Sequence, residues 1–217
     1  MTRPSRNTDQ LLIKAARDLI PETGCTGLNL RQVAAKAGVN LGMFHYHFKT
    51  KSEFTHRVLL QVYEEFFKDL SKETRIEGTP EERLRKALWA LARFSRDQRS
   101  LLVALLRDVL NGDEEVLKFV KENFGRHFRV LLAVIGECRD AGYLLDLPDP
   151  IVLVVLLGSV GIPHLIVDLL NRAKLVGPFK LKTSAFQKIL LSEVAIQKRI
   201  DLAISAVFRP EHRKGKG

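Results

Sequence analysis

Residues 29–53 read NLRQVAAKAGVNLGMFHYHFKTKSE, and this stretch decides the fold. Asn29 is a natural cap for a short helix running from about Arg31 to Ala37. Gly38 ends it, because a glycine takes the left-handed conformation that a sharp turn needs. Val39 plugs the corner, and Asn40 caps a second short helix from Leu41 to Phe48. Thr50-Lys51-Ser52-Glu53 then has the spacing of a capping box and opens a further helix. Two helices joined by a three- or four-residue turn containing glycine form the corner of a helix-turn-helix, here over residues 29–48.

A wheel at about 100° per residue divides the second helix into two faces. Phe44 and Phe48 share one face and are expected to pack on Leu30 and Val33 of the first helix. Gly42, Met43 and Tyr46 occupy the other, flanked by His45 and His47. That outward surface suits a DNA major groove: Tyr, His and backbone N–H groups donate to phosphates, and Met or a ring meets a thymine methyl. Gly42 allows close approach of the backbone. Leu41 is open to two readings, near the core side by the wheel or facing a base edge at the helix start. His45 and His47 do not make a metal pair, since residues i and i+2 on a helix point about 200° apart. Lys51 opens the following helix, where its ammonium and the free N–H groups offer a phosphate site.

Outward from the motif, nearly every segment repeats with helical period, so the fold class is all-α. Asn7 with Gln10 is the expected cap of a first helix that runs to about Glu22 or Thr23 and stops at Gly24. Thr79-Pro80-Glu81-Glu82 places a cap, a proline at the first helical position and an acid at the third, so a helix starts there. The break at residues 77–80 is the expected boundary between an N-terminal domain over 6–66 and a larger helical domain over 79–208. Further helices are expected at about 98–110, 113–140, 150–171 and 184–208, the last with Ser184 and Gln187 as a capping box. Gly177-Pro178 marks a loop.

The 217 residues carry a formal charge of +10, which points to a polyanionic partner, nucleic acid or an anionic membrane surface. Residues 1–55 hold eight Lys/Arg against four Asp/Glu, and Arg3 and Arg6 form a basic arm suited to a phosphate or a minor groove. Two distant cysteines, Cys25 and Cys138, exclude a disulfide scaffold and a zinc spacing and fit a reducing cytoplasm. The N-terminus shows no export signal. Residues 151–167 are uncharged and apolar, at the lower limit for a spanning helix. Pro163 and His164 inside the run, and the amphipathic helices around it, favour a buried or interface helix over a membrane partner.

The run Leu30-Arg31-Gln32-Val33-Ala34, followed by Ala37 to Glu53, resembles the DNA-binding signature of TetR-type transcriptional regulators. The likeness covers residues 6–66 in detail. It implies that Arg31 and the segment Asn40, Leu41, Gly42, Met43, His45, Tyr46, His47 to Lys51 face double-stranded DNA, with Lys51 and His45 mainly on phosphates. Met43 stands where the family often has a small hydroxyl residue, and His45 where it often has Tyr; these departures bear on the operator sequence. The resemblance also implies a homodimer and an apolar small-molecule effector, and no cofactor.

The larger domain offers candidates for both. Trp89, Phe94, Phe119, Phe124, Phe128 and Cys138 are candidates to line a pocket between the helices at 79–140. Leu153, Leu156, Leu157, Val160, Leu190, Val194, Ile200 and Ile204 are candidates for a four-helix seam between two copies. Plain core packing is the alternative for the pocket set. No nucleophile elbow, phosphate loop or metal spacing appears. His127, His164 and Asp168 are the only side chains that suggest an enzyme, and they also read as core or surface positions. A DNA binder without an effector is the remaining alternative.

Overall fold

The computed structural model describes residues 7–174 and 183–212. Among them the chain is helical throughout and forms no strand. Arg3, Arg6 and the Gly177-Pro178 loop lie outside the described residues, as does the side chain of Ser184. The helices are α1 (Thr8–Thr23), α2 (Leu30–Ala37), α3 (Leu41–His47), α4 (Lys51–Thr74), α5 (Pro80–Asp97), α6 (Arg99–Leu110), α7 (Glu114–Asp140), α8 (Asp149–Arg172), α9 (Thr183–Leu191) and α10 (Glu193–Val207).

Most starts follow from local chemistry. The Thr79 hydroxyl accepts from the Glu82 N–H at 3.2 Å, and the Glu82 carboxylate accepts from the Thr79 N–H at 2.9 Å, completing a capping box at α5. Two expectations fail. The Asn7 side chain makes no capping hydrogen bond at α1; Gln10 instead donates to Asp9 at 3.5 Å. The single helix expected over 184–208 is two, because Ser192 adopts an extended backbone and its hydroxyl accepts from the Ala195 N–H at 3.3 Å. Apolar spacing continues across Ser192, so periodicity alone hides the break.

The chain divides into two compact units. One holds the residues up to Glu65 together with Ser100–Phe124; the other holds Phe66–Arg99 and the residues from Gly125 onward. This division does not follow the loop at 77–80. With 24 and 27 residues, α4 and α7 are long enough to supply side chains to both units.

In the first unit the core is built from Leu12, Ile13, Ala16 and Ile20 of α1, Val33 and Ala34 of α2, and an aromatic cluster. Phe44 and Phe48 are each 1% exposed, and Phe54 of α4 meets them edge-on with ring centroids 5.0 and 4.7 Å away. In the second unit α5 packs on α8 and α10, and α8 on α9 and α10. Val152, Leu156, Val160, His164 and Val167 form the buried stripe of α8, and Ile196, Ile200, Ala203, Ile204 and Val207 that of α10. The residues after α10 are pinned to the α7–α8 connection, where the Leu145 N–H donates to Val207 O at 2.9 Å and the Arg209 N–H to Tyr143 O at 2.8 Å.

These stripes correct half of the seam expected between copies. Leu156, Val160, Ile200 and Ile204 are at most 2% exposed and are spent inside the chain's own core. The helical period puts them toward α5, α8 and α10 rather than outward. Leu153, Leu157 and Leu190 are half-buried, and Val194 is exposed. The apolar surface of α8 that faces solvent is a different stripe: Ile151, Val154, Ile162, Ile166 and Leu169. Among the described residues α8 is the one helix long and apolar enough to cross a membrane.

Candidate nucleic-acid interface

The site begins with two caps. The Asn29 side chain accepts from the N–H groups of Arg31 and Gln32 at 2.9 and 3.3 Å, and that of Asn40 from the Gly42 N–H at 2.8 Å. Between them Gly38 sits at φ +68°, in the left-handed region, where a side chain would be strained. The Thr50 hydroxyl accepts from the Glu53 N–H at 3.0 Å, and the Glu53 carboxylate reaches back to the Lys49 N–H at 3.2 Å. The reciprocal contact thus lands one residue earlier than in a standard capping box. Together these bonds fix the ends of α2, α3 and α4.

With Phe44 and Phe48 anchored, α3 turns its other side to solvent. Tyr46 is 69% exposed, and Arg31, Asn40, Gly42 and His45 are exposed as well. Leu41 and Met43 are half-buried. His47 is also half-buried; its Nε2 is enclosed and has no hydrogen-bond partner among the described residues. The wheel placed His47 beside Tyr46 as an outward group, and the two rings meet in a T-shaped contact with centroids 5.1 Å apart. Lys51 stands at the first turn of α4, and its Nζ donates to Thr26 O at 2.6 Å, closing the connection between α1 and α2 onto α4. Arg17 adds a paired contact to Glu65 at 2.8 and 2.9 Å, whose hydrogen bonds hold the Glu65 carboxyl below its ordinary range.

The α6–α7 corner takes part in a way not anticipated from sequence. Asp108, 3% exposed, accepts from the Cys25 N–H at 2.6 Å, and Asp113 accepts from the Thr26 hydroxyl at 2.5 Å. Burial works to raise the Asp113 carboxyl, but the Thr26 hydroxyl, the N–H groups of Val116 and Glu115, and Lys51 hold it below its ordinary range. Burial, then Asp108 and Asp113, push the Cys25 thiol up to about 12, so it stays an inert thiol. Asp113 also caps α7, accepting from the Val116 N–H at 2.9 Å. Nothing marked Asp108, whose partner lies 83 residues away. An open polar cleft of about 360 Å³ lies beside this contact, lined by Thr23, Thr26, Arg107, Asp108, Asn111 and Asp113 among others.

Residues 12–58 match the family model described as bacterial regulatory proteins, tetR family. The segment that carries the helix-turn-helix is thus similar to the DNA-binding segment of the TetR family. The chain is 22% identical over 205 residues to "Probable HTH-type transcriptional regulator YttP" of Bacillus subtilis, covering 94% of this chain and 95% of that protein. Its fold is similar to that of a TetR transcription regulator from Haloarcula marismortui, with a TM-score of 0.69, 20% identity, and coverage of 94% of this chain and 99% of that one. It is also similar to the ketosteroid transcriptional regulator KstR2 of Mycobacterium tuberculosis, with a TM-score of 0.66, 16% identity, and coverage of 96% and 97%. A third similar structure is the transcriptional regulator FadR of Bacillus subtilis, in complex with stearoyl-CoA, with a TM-score of 0.64, 15% identity, and coverage of 84% and 97%. The matched segment and the shared fold support a DNA-binding transcriptional regulator rather than an enzyme.

The residues expected to line a ligand pocket are divided between the two units. Phe119 and Phe124 belong to the first unit, where Phe119 packs edge-on against His56 and Tyr63 and Phe124 is 53% exposed. Trp89, Phe94, Phe128 and Cys138 belong to the second. There Phe94 stacks on Phe66 at 4.3 Å, and Cys138 is fully buried, its thiol pushed up to about 12 by burial and the charge of Glu137. His127 and Asp168 are buried polar groups of the second unit, together with His164.

Proposed function

We propose that the chain is a ligand-responsive repressor that binds a (pseudo)palindromic double-stranded DNA operator as a homodimer in the cytoplasm. The observation that carries DNA reading is α3 itself: a short helix locked at both ends, its aromatic face sunk in the core, with Tyr46 and His45 presented outward. Arg31 and Asn40 extend that surface, Gly42, Leu41 and Met43 allow close approach, and Lys51 supplies a cation at a helix N-terminus. His47, half-buried beside Tyr46, flanks this surface.

One such helix touches few bases, so useful specificity calls for two, about 34–36 Å apart on one face of the duplex. The exposed stripe of α8, with Leu202 of α10 and Ile189 of α9, is the surface suited to bring two copies together. Control by a small molecule is supported by the similar regulators named for a ketosteroid and solved with stearoyl-CoA. Such control requires the effector to prefer one conformation of the regulator, with coupling of about 1–3 kcal/mol as an ordinary value.

Selection of bound duplexes from random DNA tests the function. An enriched site with two inverted half-sites, bound by a protein of dimeric mass in light scattering, is the expected result. A monomer, or no sequence enriched over the starting pool, contradicts it.

A further inference from the structure

Within the second unit, a buried imidazole lies against one guanidinium group, and the charges of two more act on it. His164 of α8 is 0% exposed. Arg199 of α10 donates from Nε to Ser159 O at 3.1 Å and from NH1 to Leu190 O at 2.6 Å, and its NH2 lies 3.1 Å from His164 Nε2. These contacts tie α8, α9 and α10 together. The end of α5 approaches the same place: a Cβ built on Gly161 of α8 would stand 4.0 Å from the Ser95 hydroxyl. Arg99 folds back from the start of α6, its NH1 donating to Arg96 O at 2.8 Å.

The proton positions follow from chemistry. An arginine has donors and no acceptor, so His164 Nε2 accepts from Arg199 and the proton sits on Nδ1. The ring is neutral, since burial first, and then the charges of Arg199, Arg96 and Arg99, push its pKa down to about 4. Nδ1–H is therefore a buried donor, and it has no acceptor among the described residues. The Arg99 Nε–H is a second buried donor without one. Leaving such a group unpaired is destabilising, and two in one cluster call for an acceptor.

The carboxylates nearby do not supply it. Asp97 is paired with Arg96 at 2.8 Å, Glu193 acts on Arg96, and Asp168, one turn along α8, is paired with Arg172 at 2.6 Å. Arg199 bonds to carbonyls and the imidazole rather than to an acid, and burial alone lowers its pKa. The cluster thus holds positive charge and orphaned donors in partly desolvated surroundings.

We propose that this cluster binds the oxyanion of a small effector, a carboxylate or phosphate group, which accepts from His164 Nδ1–H and Arg99 Nε–H. This deepens the effector-controlled reading and rests on it for its regulatory meaning. It changes the expected effector from a purely apolar molecule to one with an anionic head.

The test uses the full-length protein in isothermal titration calorimetry with benzoate, phenyl phosphate and benzyl alcohol, three probes of similar size. At least one anion is expected to bind ten-fold or more tightly than the alcohol, and whichever anion is tighter identifies the head group. Arg99→Gln is expected to bring that anion to the alcohol's affinity. His164→Leu, which removes the donor and keeps an apolar group, gives the same outcome by a second route. Equal binding of all three probes, no binding of any, or anion affinity unchanged in both variants overturns the site. An Arg99-dependent anion that leaves affinity for the selected operator unchanged keeps the site and removes effector control.

Discussion

On the proposed reading, Lys51 serves two tasks. Its Nζ is engaged by Thr26 O, so a phosphate must compete with a carbonyl for the same ammonium. A phosphate carries full charge and wins that exchange at low salt. Lys51→Ala should therefore lower affinity for all DNA sequences alike and reduce the log–log salt slope by about one unit. Titrations at several salt concentrations measure this; a changed base preference with an unaltered slope would assign Lys51 to a base. The buried histidines give a second residue-scale outcome. Burial pushes both His127 and His164 from 6.5 to about 4. Above pH 6.5 they are neutral in folded and unfolded chain alike. As the pH falls toward 4 the unfolded chain takes up protons that the folded chain refuses, so stability declines across that window. At pH 5 the loss should be about 2 kcal/mol for each histidine. Urea midpoints at pH 7 and pH 5 measure it, and the double variant His127→Gln, His164→Gln should decline less; an equal decline would place the titration elsewhere.

At the scale of the element, α3 was legible because its signals are local. Asn40, Gly38 and the pair Phe44 and Phe48 all lie within eleven residues, and each acts through its neighbours in the chain. The partner that completes the aromatic cluster, Phe54, comes from the next helix and gave no separate signal. Long-range contacts were invisible for the same reason. Asp108 reads, beside Arg107, as an ordinary polar position near the end of α6, yet it holds the Cys25 N–H and with Asp113 anchors the connection between α1 and α2. Gly24 fits there at φ +73° because a Cβ would stand 2.5 Å from the Asp108 carboxylate. Asp108→Ala leaves a buried N–H unpaired and should cost about 1–3 kcal/mol. Asp108→Asn, which keeps an acceptor, should recover most of it. Urea unfolding of the three proteins measures the effect, and wild-type stability in the alanine variant would show that the contact contributes nothing. The seam on α8 failed for a related cause. An all-apolar helix has no polar face to reveal its direction, so periodicity could not tell Leu156 and Val160 from Val154 and Ile162.

At the scale of the whole molecule, the +10 charge and the exposed face of α3 play different parts. Net charge draws the protein to any duplex and fades with salt, whereas base contacts carry the discrimination between sequences. Specificity is therefore a ratio of affinities, and on the proposed reading it depends on Tyr46 more than on the sum of Lys and Arg. A good base contact is worth about 1–3 kcal/mol. The most direct measurement is fluorescence anisotropy of the selected operator and a scrambled duplex at one fixed salt concentration, for wild type and Tyr46→Ala. The account predicts that the variant loses roughly 5- to 150-fold in operator affinity, in line with that contact energy, while its affinity for the scrambled duplex stays as it was. Equal loss on both duplexes, or none on the operator with the variant fully folded, would contradict the claim that α3 reads the sequence.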